Sequence, residues 1–174
     1  MLLNFTLSNW MSYRDEASLS MISSLERQHG ETRSELPGFR SKKILPVAAV
    51  YGGNSSGKTA LFKGLAALRE MVLTDPGVDG LLPIRPFMLD SQSSMSPTMF
   101  DITFLAGRTT YRLVVEATRF SVSYECLEIV KEGQSIDVYE RDASRDERFQ
   151  LNRELFSDPD HVLYAAKSTR SNQV

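Results

Sequence analysis

One cysteine, Cys126, stands among 174 residues, and that scarcity excludes an internal disulfide framework and a cysteine-rich metal site. Neither charge is in real excess. With 20 basic against 22 acidic residues, net −2 and pI about 5.7, no global positive field points to nucleic acid or an anionic membrane. No run approaches the ~18 uninterrupted apolar residues of a spanning helix. The opening Met1-Leu2-Leu3-Asn4-Phe5-Thr6 lacks the basic start of a secretory signal. Internal repeats and low-complexity tracts are also missing. These absences set the expectation of a soluble cytoplasmic protein without a membrane partner. With 41% hydrophobic and 24% charged residues, the chain has the composition of one ordinary globular domain.

What is present is patterned. Leu3, Phe5 and Leu7 alternate with Asn4, Thr6 and Ser8, and Ala17, Leu19 and Met21 alternate with serines, so two strands paired as a hairpin are predicted over 1–25. Residues 26–43 are polar, end in basic side chains and contain Gly30, Pro37 and Gly38. They read as an exposed loop or frayed hairpin. Val47-Ala48-Ala49-Val50-Tyr51 is apolar without alternation, as expected of a strand covered on both faces. Leu61, Leu65 and Leu68, with Phe62 and Val72, recur at helical spacing, predicting an amphipathic helix from 58 to about 73, ended by Asp75-Pro76-Gly77.

Residues 80–97 read as a connection that Ile84, Phe87 and Leu89 anchor or build into a short strand. Over 98–140 the alternating sets Phe100/Ile102/Phe104, Tyr111/Leu113/Val115 and Val122/Tyr124/Leu127 predict an antiparallel meander. Ile136, Val138 and Tyr139 extend it past the turn at Lys131-Glu132-Gly133-Gln134. The charged stretch 140–160 reads as a solvated turn or short helix.

Between the apolar run and the helix lies Gly52-Gly53-Asn54-Ser55-Ser56-Gly57-Lys58-Thr59, which meets the G-x-x-x-x-G-K-[ST] pattern at every fixed position. A phosphate-binding backbone must curl with its N–H groups inward, and side chains at Gly52 or Gly57 would obstruct that path. The loop opens a helix, whose free N–H groups favour an anion. Lys58 is predicted to bridge the β- and γ-phosphates of a nucleotide and the Thr59 hydroxyl to ligate Mg²⁺, with Ala60 also among the nucleotide-binding residues. Phosphoryl transfer also needs a second acidic metal-site residue and a water-orienting group. No apolar strand after residue 60 ends in the Asp or Asp-Glu of such an element, and Phe156-Ser157-Asp158 runs at once into Pro159.

Met1–Asp15 together with Val47–Leu61 resembles the start of the ATP-binding-cassette-like heads of SMC, RecF and OLD ATPases. Within that clade it is most similar to bacterial AAA family ATPases, many tied to abortive infection and phage defence. The resemblance rests on the turn Asn9-Trp10-Met11-Ser12-Tyr13-Arg14-Asp15 and on the loop Tyr51–Thr59. Pro86–Leu89, Phe100–Phe104 and Tyr124–Leu127 carry it to about residue 140. It implies an α/β fold: a P-loop NTPase core over 44–75, as an ABC-like half-head, with an antiparallel β-meander subdomain. ATP and Mg²⁺ are the implied ligands, and a homodimer or partner protein is implied in the complete ATPase.

By the same resemblance the signature motif, Walker B acids and switch histidine lie downstream of the β subdomain, so the expectation is an N-terminal half-head whose hydrolysis needs those motifs. The Ser12–Arg14 turn is implied to lie beside the nucleotide, against the alternative that Arg14 is a solvated turn arginine. Trp10 and Tyr13 either stack on adenine or pack. Gln134, Gln150 and Gln173 are equal candidates for a lobe-junction glutamine, and His161 reads as a surface or packing histidine. Two other functions stay open: a nucleotide-dependent interaction switch without turnover, and DNA binding through Arg33, Arg40, Lys42 and Lys43, which otherwise form a solvated loop.

Overall fold

The apolar alternation near the N-terminus and that of the meander build the same sheet. A computed structural model describes residues 1–23 and 32–174. In it, β1 (Leu2–Ser8) pairs on one side with β2 (Ala17–Ser20) and on the other with β5 (Thr98–Ala106). The sheet continues through β6 (Thr109–Ala117), β7 (Val122–Lys131), β8 (Gln134–Asp142) and β9 (Phe149–Leu151), in the order β2-β1-β5-β6-β7-β8-β9, and every pairing is antiparallel. A two-residue hairpin, β3 (Ser34–Glu35) with β4 (Lys43–Ile44), packs Leu36 and Ile44 against Leu3. The part of the polar loop over 26–31 lies outside the described residues.

The expected layout of a P-loop core with a separate meander beside it is corrected here. The first hairpin is the edge of the meander's own sheet, because the buried face of β1 continues onto β5 through Leu7 opposite Phe100. The fold is mixed α/β with an antiparallel sheet. The Val47–Tyr51 strand is also corrected: the run forms no regular element and is unpaired, with Val47 75% and Tyr51 90% exposed. A strand needs a neighbour for its backbone groups, and among the described residues none runs beside it.

Helix α1 (Lys58–Leu73) forms where predicted, with Leu61 and Leu68 buried and Leu65 packed against the core. Its buried face is Ala60, Leu61, Gly64, Ala67, Leu68 and Met71, while Phe62 and Val72 face outward. Small residues face the sheet because the approach is close. A Cβ on Gly64 would lie 2.7 Å from Leu7 and 3.4 Å from Phe100. The core beneath combines Phe5, Leu7, Trp10, Phe100, Val115 and Val122. Phe100 stacks on Phe5 at 6.1 Å and meets Trp10 edge-on at 5.2 Å, contacts worth about 0.5–1.5 kcal/mol each beyond their burial.

In the 80–97 connection Leu82 and Ile84 are buried, whereas Leu89 is 90% exposed and anchors nothing. No strand forms there. Instead a one-turn helix, α2 (Ser91–Met95), is capped by Asp90, whose side chain accepts from the Ser93 N–H. The charged stretch after 140 holds β9 and a 3₁₀ turn at Arg153–Leu155, followed by α3 (Pro159–Lys167). Val115, Glu125 and Arg141 are successive cross-strand partners and so share the sheet face that α1 covers. Among the described residues, no helix is long and apolar enough to cross a membrane.

Candidate functional site: the phosphate-binding loop

Gly52–Ser56 form an exposed loop, and Gly57 is the N-cap of α1 with φ 92°. That left-handed conformation favours glycine, and space demands it as well, since a Cβ there would lie 2.8 Å from the Tyr13 hydroxyl. Ser55 also has positive φ, at 62°, and the Ser56 N–H reaches back to the Gly53 carbonyl at 3.4 Å. The loop is thus curled before it enters the helix. Asn54 is exposed at its tip.

The Lys58 ammonium folds over this curl. It donates to the carbonyls of Gly52 and Gly53, both at 2.7 Å, and to Ser56 Oγ at 3.3 Å. Thr59 is exposed in the first helical turn, and Ala60 is buried. No side chain caps the N-terminus of α1, and no acidic residue stands in its first turn. Its leading N–H groups and partial positive charge are therefore uncompensated by protein. Such an end, with a lysine held only by exchangeable oxygen acceptors, fits a bound polyphosphate: phosphate oxygens can replace the carbonyls around Nζ and accept from the helix N–H groups.

The Asn9–Asp15 turn packs directly on this loop. Asn9 and Met11 have φ of 50° and 49°, and the backbones of Trp10 and Tyr13 bond each other in both directions at 2.8 Å. Trp10 is 1% exposed and its indole N–H donates to the Ala60 carbonyl at 2.8 Å, so it packs rather than presenting a face to solvent. The Tyr13 hydroxyl donates to the Gly57 carbonyl at 3.2 Å. Ser12 Oγ lies 3.4 Å from the point a Gly57 Cβ would take, so the turn lines one wall of the loop. Arg14 is exposed and pairs with Asp15 at 3.2 Å, which raises its pKa.

Asn9 entered the sequence reading only as the first residue of the turn motif, without the role its contacts give it. It is 7% exposed; its amide faces the carbonyls of Ser93, Ser96 and Pro97 at 2.7–3.1 Å, and its Oδ1 accepts from the Phe87 N–H. The signal available was an asparagine directly after a strand, a type that tolerates positive φ.

The other candidates lie apart from these contacts. His161 sits in the first turn of α3, its backbone N–H bonded to Asp158. Gln134 is exposed at the start of β8, Gln150 is exposed on β9, and the Gln173 carbonyl accepts from Arg141. Lys42 rests over the Phe39 ring at 5.0 Å beside the β3–β4 hairpin, where Lys43 also lies. Cys126 is buried, and burial pushes its thiol pKa up.

No curated protein matches the chain. Residues 47–163, more than half of it, match the family model described as "AAA domain, putative AbiEii toxin, Type IV TA system". The matched span takes in the loop, α1 and the sheet from β5 to β9. With a curled glycine-rich loop, its lysine and an uncapped helix start inside that span, the chain belongs to this AAA-domain family of P-loop ATPases.

Proposed function

We propose that the chain binds Mg-ATP through Gly52–Thr59, as part of an ABC/SMC-like ATPase head. The observation that carries this reading is the uncapped start of α1 beneath the Lys58 ammonium. Lys58, now bonded to the Gly52 and Gly53 carbonyls, would hold the β- and γ-phosphates, the backbone N–H groups of Gly53–Gly57 would donate to the phosphate oxygens, and the Thr59 hydroxyl would hold the metal. Mg²⁺ there supplies charge neutralisation of the triphosphate. In this reading the Ser12–Arg14 turn, whose Ser12 hydroxyl lines one wall of the loop, lies beside the nucleotide.

Turnover belongs to a larger assembly in this reading. The unpaired, exposed Val47–Tyr51 run supports it, since an apolar run leading into the loop is suited to pairing with strands supplied by further sequence or a partner. A setting in toxin–antitoxin or phage-defence systems follows from the family description alone.

The test is equilibrium binding of a fluorescent ATP analogue with Mg²⁺, with GTP as competitor. Saturable binding is expected in the native chain and a loss of at least tenfold in Lys58→Ala, as for removal of a charge-assisted phosphate contact of about 1.5–3 kcal/mol. Equal binding by both proteins would overturn the assignment. Steady ATP turnover by this chain that Lys58→Ala abolishes would overturn the division between binding here and hydrolysis elsewhere.

A further inference from the structure

The carbonyl of Gly57 receives two donors: the Leu61 N–H at 3.1 Å, which opens the α1 ladder, and the Tyr13 hydroxyl at 3.2 Å. In a planar trans peptide the carbonyl of Gly57 and the N–H of Lys58 point in opposite directions. Holding the carbonyl toward the helix therefore holds the Lys58 N–H the opposite way, outward from the start of α1. Gly57 is glycine at φ 92°, a residue type whose own backbone is little restrained. Its orientation must come from contacts.

Tyr13 is itself well held. Its backbone closes the tight turn with Trp10, whose indole bonds another carbonyl of the same helical turn, that of Ala60. That tight turn is fixed by Asn9 to the segment 87–98 and by the Met11 N–H to the Arg85 carbonyl at 2.7 Å.

We propose that Tyr13 is a positioning residue of the phosphate-binding loop, fixing the Gly57–Lys58 peptide so that the Lys58 N–H is aimed before any anion arrives. Trp10 braces the same helical turn from the buried side. The inference rests on the Mg-ATP reading for its functional meaning but concerns the loop's geometry without ligand. Pre-organisation of this kind raises affinity by removing an ordering cost that binding would otherwise meet.

Tyr13→Phe keeps the ring and deletes the hydroxyl, so it separates the bond from the packing. Three quantities decide the matter: the Lys58 amide resonance and amide exchange over residues 52–60 in the ligand-free protein, the melting temperature, and the Kd for the ATP analogue with Mg²⁺. The expected result is a displaced Lys58 amide signal, exchange over 52–60 faster by about fivefold, Kd weaker by about fivefold, and a melting temperature lowered by no more than about 4 °C, as one net hydrogen bond implies. An unshifted Lys58 amide with unchanged exchange overturns the proposal. So does a fall in melting temperature that speeds exchange equally at all amides, because Tyr13 would then support the fold and not the loop. Should the native chain bind no nucleotide, the Mg-ATP reading fails, while the exchange comparison still decides whether Tyr13 orders the loop.

Discussion

Gly64 of α1 crosses β1 so closely at Leu7 that a single added carbon, at 2.7 Å from Leu7 Cδ2, has no room. The neighbours on the other sides are Trp10 Nε1 at 3.3 Å and Phe100 Cε1 at 3.4 Å, both buried, so none can swing away into solvent. Gly64→Ala should therefore destabilise the protein by about 1–3 kcal/mol despite alanine's better helix propensity. Urea unfolding monitored by Trp10 fluorescence would measure it, and an unchanged midpoint would show that α1 and β1 are not in this contact.

Asn9→Ala removes the side chain that satisfies carbonyls in and after α2 and the Phe87 N–H. Alanine is also poorly suited to the φ of 50° at this position. A loss of about 2–3 kcal/mol is expected from the orphaned groups and backbone strain. Asn9→Gly should relieve the strain part only and recover a fraction of it. Equal stability of all three proteins in denaturant titrations would rule out the hub.

On the far end of the same sheet face Glu125 and Arg141 form a buried pair, 3.5 Å apart, with side chains 5% and 6% exposed. Burial raises the Glu125 pKa, with Tyr139 and Arg141 pulling it back. Arg141 also donates to the carbonyls of Arg170 and Gln173 and so ties the C-terminal segment to β8. Arg141→Met should cost about 3–5 kcal/mol by stranding a buried carboxylate, and adding Glu125→Leu should recover much of that loss. A double-mutant cycle on unfolding free energies measures the coupling. Strict additivity would mean the two charges do not interact.

Acid sensitivity has a readable source. Asp75 is held below 3.8 by the Gly77 N–H and then by Arg170, Asp90 by the Ser93 hydroxyl and N–H, and Asp142 by the Ser144 hydroxyl and N–H. A carboxylate depressed in the folded state binds its proton more weakly there than in the unfolded chain. Its contribution is thus present above 3.8 and lost as pH falls through the lower folded value. Stability should drop below that pH, and the triple change to asparagine should flatten the drop. The same acid slope in the triple variant would place the sensitivity elsewhere.

The loop was legible because its pattern is local: Gly57, which takes a left-handed φ, Lys58 and Thr59 stand side by side within one turn of backbone. The helix was legible from its spacing, since Leu61, Leu65 and Leu68 do turn to the core, whereas the outward turn of Phe62 and Val72 and the close approach at Gly64 were not. The braces on the loop were not legible either. Tyr13 and Gly57 are 44 positions apart, and nothing in either neighbourhood records that their atoms meet.

By itself, then, the sequence determined what short-range chemistry can determine: a P-loop motif opening a helix, alternating strands and the turns between them. Tertiary structure alone decided that the N-terminal hairpin and the meander share one antiparallel sheet, that Val47–Tyr51 stands unpaired, and that Trp10 and Tyr13 are engaged by carbonyls at the start of α1. The reason is physical. Periodicity reports which face of an element is apolar, but strand pairing and side-chain partners depend on which backbone groups are brought alongside, and those come from distant parts of the chain.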